Sequence, residues 1–331
     1  MRSGIARLLT EWYTRAHRDL PWRRTSDPYA IWVSEIMLQQ TRAAAVVPFY
    51  QRFLAAFPGV EALAVAPEER VLALWSGLGY YSRARNLRRA AQQVVEAGGF
   101  PRTFAALRGL PGVGDYTAAA IASIAFGERK AVLDGNVLRV VARIQNDSSD
   151  IGAPATRERF RAVAQRWLGR HKPAVFNQAL MELGATVCLP RDPQCSSCPV
   201  EEHCQSRVHG TAAQLPVKLR RTEPVYIEED LLLVRRDARI LLRRRDPGER
   251  RMAGFWDLPR RAELPGARPG KLVGRFRHSI THHRYTFAVH LASLDRSSWP
   301  DAALRWFSPS ELSTIPLSTT ARKSLKLAAL L

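Results

Sequence analysis

The chain's only four cysteines lie in one short stretch, Cys188, Cys195, Cys198 and Cys204, separated by six, two and five residues. Thiols used for packing alone would not gather this way, and four thiolates on one loop can enclose a tetrahedral metal centre. The spacing differs from that of common zinc fingers. A structural zinc site and a pair of disulfides are the other readings of the same four residues. Disulfides require an oxidising compartment. The first residues, Met1–Thr10, carry two arginines and lack the apolar core of an export signal, so a reducing, cytoplasmic setting is expected. With every ligand position filled by protein, the centre reads as structural rather than redox-catalytic.

Fifty Lys and Arg against 30 Asp and Glu give a net charge of +20 over 331 residues. Such an excess attracts a polyanion. Nucleic acid suits it better than a membrane, because no apolar run approaches the roughly 20 residues of a spanning helix. An arginine-rich codon bias accounts for part of the excess on the plainer reading. Hydrophobic residues make up 46% of the chain, and the length allows two or three domains.

The first two thirds read as helical. Apolar residues recur at helical spacing over Ile31–Phe57, Pro67–Ser76, Ala84–Glu96, Thr117–Phe126 and Arg157–Leu168. Asp27 or Ser26 suits a helix N-cap before Pro28, and Pro67 suits a first helical turn. A polar, proline-bearing linker is expected over 211–224. Beyond it Tyr226–Val234, Ile240–Leu242, Lys271–Phe276 and Tyr285–Ser293 read as short strands, and Ser318–Leu331 as a closing helix. The expectation is a mainly α body over 1–215 and a small α+β domain over 225–331.

Leu110-Pro-Gly-Val-Gly114 sits between two helical stretches. Gly112 and Gly114 permit a tight turn that hands a phosphate the amides of the next helix, the sequence form of a helix–hairpin–helix motif. A plain inter-helix turn would look similar. Two carboxylates stand out by context. Glu35 interrupts the mainly apolar Trp32-Val-Ser-Glu-Ile-Met-Leu, and Asp134 precedes Gly-Asn-Val-Leu-Arg139. Glu35 could instead lie on an amphipathic face, and Asp134 could be only a helix cap.

The strings SEIMLQQTR, GLGYYSRARNL, LPGVG, LDGNVLRV and FNQALMELGATVC follow one another over about residues 17–208 in the order, and at about the spacing, of the MutY-type adenine DNA glycosylases. The chain resembles that branch of the endonuclease III, helix–hairpin–helix superfamily. The resemblance implies two helical lobes: a six-helix barrel over about 27–132, and a lobe built from about 1–26 with 133–210 that holds a 4Fe–4S cluster on the four cysteines. It makes Glu35 the acid that protonates adenine, a task that burial would help by raising its pKa. It makes Asp134 the carboxylate beside the sugar cation, and Tyr116 a residue that tunes the site where endonuclease III relatives place a lysine. Tyrosine cannot form that lysine's Schiff base, so a monofunctional enzyme that leaves an abasic site is implied.

By the same resemblance Trp22, Arg23 and Gln178 line the pocket for a flipped adenine. Gln40 and Tyr80 enter the duplex, and Leu110, Gly112 and Gly114 contact its backbone. Core packing is the plainer reading for Trp22, Tyr80 and Tyr81. Arg83, Arg85, Arg88 and Arg89 would contact phosphates or form a solvated face. The implied partner is double-stranded DNA with adenine opposite 8-oxoguanine or guanine, bound by a monomer.

Residues from about Tyr226 resemble the Nudix-like domain of these enzymes through Gly254-Phe-Trp-Asp-Leu-Pro259 and Phe276-Arg-His-Ser-Ile-Thr-His282. Thr281 and His282 match its 8-oxoguanine-reading pair, although Ile280 stands where phenylalanine is usual. The short segment between Pro259 and His278 implies a reduced or missing helix. No glutamate-rich box for nucleotide hydrolysis is present. Rival readings are a G·T thymine glycosylase and a lesion-binding protein without catalysis.

Overall fold

The computed structural model describes residues 4–219, 223–246, 252–280, 282–294 and 303–331. Helix α1 (Gly4–Ala16) buries Ile5, Ala6, Leu9 and Tyr13, which share one face at helical spacing. A 3₁₀ turn, Pro21–Arg23, leads to α2 (Pro28–Leu38). The Asp27 carboxylate caps α2 by accepting from the amides of Tyr29 and Ala30, both at 3.1 Å, and Pro28 opens the helix where no amide is needed. Residues Tyr29 to Met37 of α2 are all buried, Glu35 among them.

The apolar run to Phe57 forms two helices rather than one. Gln40 adopts a left-handed φ of 58°, which no continuous helix tolerates, and α3 (Ala43–Ala56) starts afresh. Then follow α4 (Val60–Ala64), α5 (Glu68–Trp75), α6 (Ser82–Glu96), α7 (Phe104–Leu107), α8 (Asp115–Ala125), α9 (Gly135–Gln145), α10 (Pro154–Leu168) and α11 (Pro173–Thr186). Pro67 stands just outside α5, in the cap position. The cysteine stretch ends in the short α12 (Gln205–Val208).

Two compact units emerge: Met1–Ala64 with Arg89–Arg221, and Val65–Arg88 with Thr222–Leu331. In the first, α11 packs against α1, α8 and α9. Its Phe176, Ala179, Leu180 and Leu183 join Leu9, Val137, Val141 and Phe160 in one core. A Cβ at Gly184 of α11 would lie 2.6 Å from the Asn136 Cβ, so glycine sets how near α11 and the start of α9 approach.

The second unit carries a mixed sheet. Its strands are β1 (Val225–Arg236), β2 (Arg239–Arg244), β3 (Trp256–Asp257), β4 (Ala267–Ile280), β5 (His283–Leu294) and β6 (Leu304–Phe307). The order is β3-β2-β1-β5-β4, with β6 also on β2. β1 and β5 run parallel from Val225↔His283 to Val234↔Ala292, and β4 and β5 form an antiparallel hairpin. Alternation along β1 sends Leu231 and Leu233 to one face and Leu232 and Val234 to the other. The first face is covered by α13 (Thr319–Leu327) through Ala321 and Leu325. Between Pro259 and β4 the structure has a single 3₁₀ turn, Arg261–Glu263. Among the described residues no helix is long and apolar enough to cross a membrane.

Candidate active site

Glu35 is 5% exposed on α2. Its Oε2 accepts the Tyr116 hydroxyl at 2.7 Å, donated from the first turn of α8. The same hydroxyl lies 3.1 Å from Met181 Sδ on α11. Burial pushes the Glu35 carboxyl up to about 7; Tyr116's hydrogen bond opposes this, the Asp134 charge adds to it and Arg23 opposes it. Burial and the charges of Glu35 and Asp134 raise the Tyr116 phenol well above its usual range, which keeps it a donor.

Asp134 caps α9. Its Oδ1 accepts the Val137 amide at 2.7 Å and its Oδ2 the Asn136 side-chain amide at 2.9 Å. Burial raises its pKa while these amides and Arg139 pull it back. Glu35, Tyr116 and Asp134 therefore share one electrostatic neighbourhood. Burial raises both carboxyls, and Asp134 accepts from more amide donors than Glu35 does.

Beside them lies a buried ion network. Glu182 on α11, its side chain fully buried, accepts from Arg18 Nη2 at 2.7 Å and from Arg23 Nη2 at 2.6 Å. It also accepts from the Arg18 amide and Nε. Burial alone would raise its pKa, but these donors outweigh it and hold the carboxylate at about 2. Arg23 also stacks over the Tyr13 ring at 5.4 Å, and the Tyr13 hydroxyl donates to Gln178 Oε1 at 3.0 Å. The Gln178 amide is thus oriented with its NH₂ free to donate elsewhere. Trp22 is 7% exposed and meets Tyr50 edge-on.

Leu110 to Gly114 join α7 to α8. Gly112 has φ 77°, a left-handed turn that suits glycine. Gly114 is the N-cap of α8 and no side chain caps the helix, whose first amides lack intrahelical acceptors. Gln40 is exposed and left-handed. In the second unit Tyr80 is 43% exposed with φ 48°. Such backbone is uncommon outside glycine and clusters at functional loops. Arg83 is not a surface cation: it is 8% exposed and donates to the carbonyls of Leu78 and Gly79. Arg85 reaches Glu68 at 2.8 Å, and Arg88 the Ala66 carbonyl at 2.6 Å. His282 is half-buried against His283, with ring centres 4.1 Å apart. Thr281 lies outside the described residues.

The four cysteines are free and line one cavity with Val140, Arg143 and Val200. Arg143, 1% exposed, donates to the carbonyls of Leu189, Pro190 and Leu215 and approaches Cys188 Sγ at 3.4 Å. Arg139, one turn earlier, donates to the carbonyls of Gly184 and Cys188. Burial pushes the Cys198 thiol up to about 12, with the other three thiols adding to the rise. A thiol raised in this way ionises most readily against a cationic centre, which is the chemistry of a metal-binding set. Among the described residues no group of three or more His, Cys, Asp or Glu is placed to hold a single metal ion. Zinc and a polynuclear iron–sulfur centre are both held by four cysteine thiolates.

Residues 33–166 match the family described as HhH-GPD superfamily base excision DNA repair protein. The chain is 47% identical over 218 residues to the human adenine DNA glycosylase, covering 62% of this chain and 40% of that protein. It is 41% identical over 291 residues to the mouse adenine DNA glycosylase, covering 80% and 56%. The chain carries an HhH-GPD match over residues 33–166 only. It spans about half the length of these curated relatives. A solved thermostable thymine-DNA glycosylase aligns with a TM-score of 0.56 at 29% identity, over 63% of this chain and 97% of that one. Residues 231–327 match the NUDIX domain family.

At this site, local sequence reasoning missed Arg18, Tyr13, Glu182, Met181 and Asn177. Met181 and Glu182 carried a signal: they follow Gln178 by three and four residues and so share its face of α11. Asn177 is fully buried, accepts from the Val132 amide and donates to the Lys130 carbonyl and Ser123 Oγ. It fixes the extended stretch that delivers Asp134.

Proposed function

We propose that the chain is a monofunctional adenine DNA glycosylase that acts on adenine opposite 8-oxoguanine or guanine in double-stranded DNA. The observation that carries this reading is the buried Glu35, with its carboxyl at about 7 and its Oε2 occupied by Tyr116. The proton then sits on Oε1, ready for a ring nitrogen of the flipped base. Protonation draws the C1′–N9 bonding electrons onto adenine as that bond breaks. Asp134, its oxygens held by Val137 and Asn136, faces the cation left on the sugar. Water adds to C1′ and returns a proton to Glu35, so the sum is base plus abasic sugar. Gln178, oriented by Tyr13, and Arg23, oriented by Glu182, would line the adenine pocket with Trp22. Leu110, Gly112 and Gly114 would present the α8 amides to a phosphate, and Gln40 and Tyr80 would enter the stack.

The NUDIX-matching residues 231–327 would read the base opposite adenine, with Thr281 and His282 the residues proposed for that task. The cavity at Cys188, Cys195, Cys198 and Cys204 would hold a 4Fe–4S cluster that fixes their loop against α9 and α11. Iron and sulfide analysis of protein purified without oxygen should give about four of each per chain. Stoichiometric zinc instead would overturn the assignment.

Single-turnover base release from duplexes with A opposite 8-oxoguanine, A opposite G, T opposite G, and thymine glycol tests the function. Adenine should leave fastest from the first, and the strand should break only after alkali. Thymine release in preference to adenine would move the chain to the branch of its thymine-DNA glycosylase neighbour.

A further inference from the structure

Gly77-Leu-Gly-Tyr80 joins α5 to α6 and presents Tyr80. From within the helical pair, Trp75 Nε1 donates to the Gly79 carbonyl at 3.2 Å and Arg83 Nη2 to Leu78 and Gly79 at 3.2 and 3.1 Å. The Arg83 guanidinium lies 5.5 Å from the Tyr80 ring centre. Both flanks of the loop are held by residues more than 170 positions later in the chain. Ser76, before the loop, donates to the Leu317 carbonyl at 2.8 Å and accepts from Arg322 Nε at 2.9 Å. Tyr81, after it, has its hydroxyl 3.4 Å from Thr319 Oγ1 and its ring 4.0 Å from that of Phe255. The Gly77 amide donates to the same Tyr81 hydroxyl at 3.4 Å. Ser76, Tyr81, Phe255 and Leu317 are all buried.

We infer that the Leu317–Arg322 segment at the start of α13 is a positioning device for Tyr80, acting through Ser76 and Tyr81. Tyr80 and Gly79 sit in left-handed backbone, which persists only where the surroundings over-determine it. Two polar clamps on the flanks supply that constraint. The C-terminal residues would thereby govern how readily a base leaves the stack, besides reading the opposite base. This inference rests on the proposed entry of Tyr80 into the duplex.

Arg322→Ala deletes the donor to Ser76 and touches no residue of the Glu35 pocket. Adenine release from the A·8-oxoguanine duplex should slow about tenfold, the loss expected of one good buried hydrogen bond felt at the transition state. The pH midpoint of release should stay where the wild type has it. Tyr80→Ala should slow release as well, and the double variant should be no slower than Tyr80→Ala alone, because both changes disable one element. Multiplying effects, or an Arg322→Ala rate equal to that of the control Lys326→Ala, would overturn the inference. A normal rate for Tyr80→Ala would remove its foundation, the wedge role of Tyr80. If Arg322→Ala lowers the melting temperature, Ser76→Ala carries the same comparison from the other side of the bond.

Discussion

Glu35→Gln is expected to cut single-turnover adenine release by about 10³-fold or more while leaving duplex affinity unchanged. Glutamine has the shape of the carboxyl and still offers Tyr116 an acceptor oxygen, but it has no proton of useful acidity to give. Positioned acids contribute about 10²–10⁴-fold. Duplex binding resides elsewhere in the proposed scheme, at the α8 amides and basic residues, so a filter-binding titration should overlay that of the wild type. Near-normal release would remove Glu35 from the acid's role.

The same substitution has a thermodynamic signature of opposite sign. Burial holds the Glu35 carboxyl at about 7, against 4.5 for an unperturbed one. The folded state therefore binds this proton more tightly than the unfolded chain does. Its contribution to stability is fully present below pH 4.5 and is lost as pH rises through 7, at a cost of about 3 kcal/mol. Glutamine does not ionise and escapes that cost. Glu35→Gln should melt above the wild type at pH 8 and close to it at pH 4.5. Activity should fall as pH rises through about 7, because only the protonated acid works. A dead enzyme that is more stable than the wild type cannot be explained by misfolding, and it fits the usual trade between function and stability.

The fold was legible where local rules suffice. Asp27 announced a cap and is one. Leu231 to Val234 announced a strand, and the structure buries both of its faces. Glu35 was conspicuous as the lone acid of an apolar helix. Asp134 carried two readings, cap and functional carboxylate; the structure makes it a cap and leaves the second reading to the proposed mechanism. What stayed hidden depends on partners far away in the chain. Glu182 meets Arg18 and Arg23 across 164 and 159 positions, beyond any helical spacing. Arg83 read as one of four surface arginines because nothing local says that the Gly77–Tyr80 loop folds back over it. Ser76 finds Leu317 across 241 positions. Burial of a polar residue is decided by tertiary structure, and periodicity carries no record of it.

Glu182→Gln should be the most destabilising single change near the site. The carboxylate is fully buried and neutralises two guanidiniums at 2.7 and 2.6 Å. Removing one partner of a buried pair costs about 3–5 kcal/mol, and here the largely buried Arg23 would lose its counter-ion while the more exposed Arg18 keeps solvent. The pKa gives a comparable figure: folding lowers it from 4.5 to about 2, worth about 3 kcal/mol. The sign follows from the depressed value: this stability is present above pH 4.5 and lost as pH falls through 2. At about 2–4 °C per kcal/mol for a unit of this size, the melting temperature at pH 7 should drop by about 10 °C. A second consequence reaches the acid itself. Arg23 already pulls the Glu35 pKa down, and Glu182 answers part of that charge. With Glu182 gone, Arg23 acts unopposed, Glu35 gives up its proton sooner and the midpoint of the pH–rate profile moves below 7. Glu182→Asp keeps the charge with a shorter reach and should recover most of the midpoint while regaining only part of the stability. An unchanged melting temperature together with an unchanged midpoint in Glu182→Gln would show that the network neither braces α11 against the Arg18–Arg23 segment nor sets the acidity of Glu35.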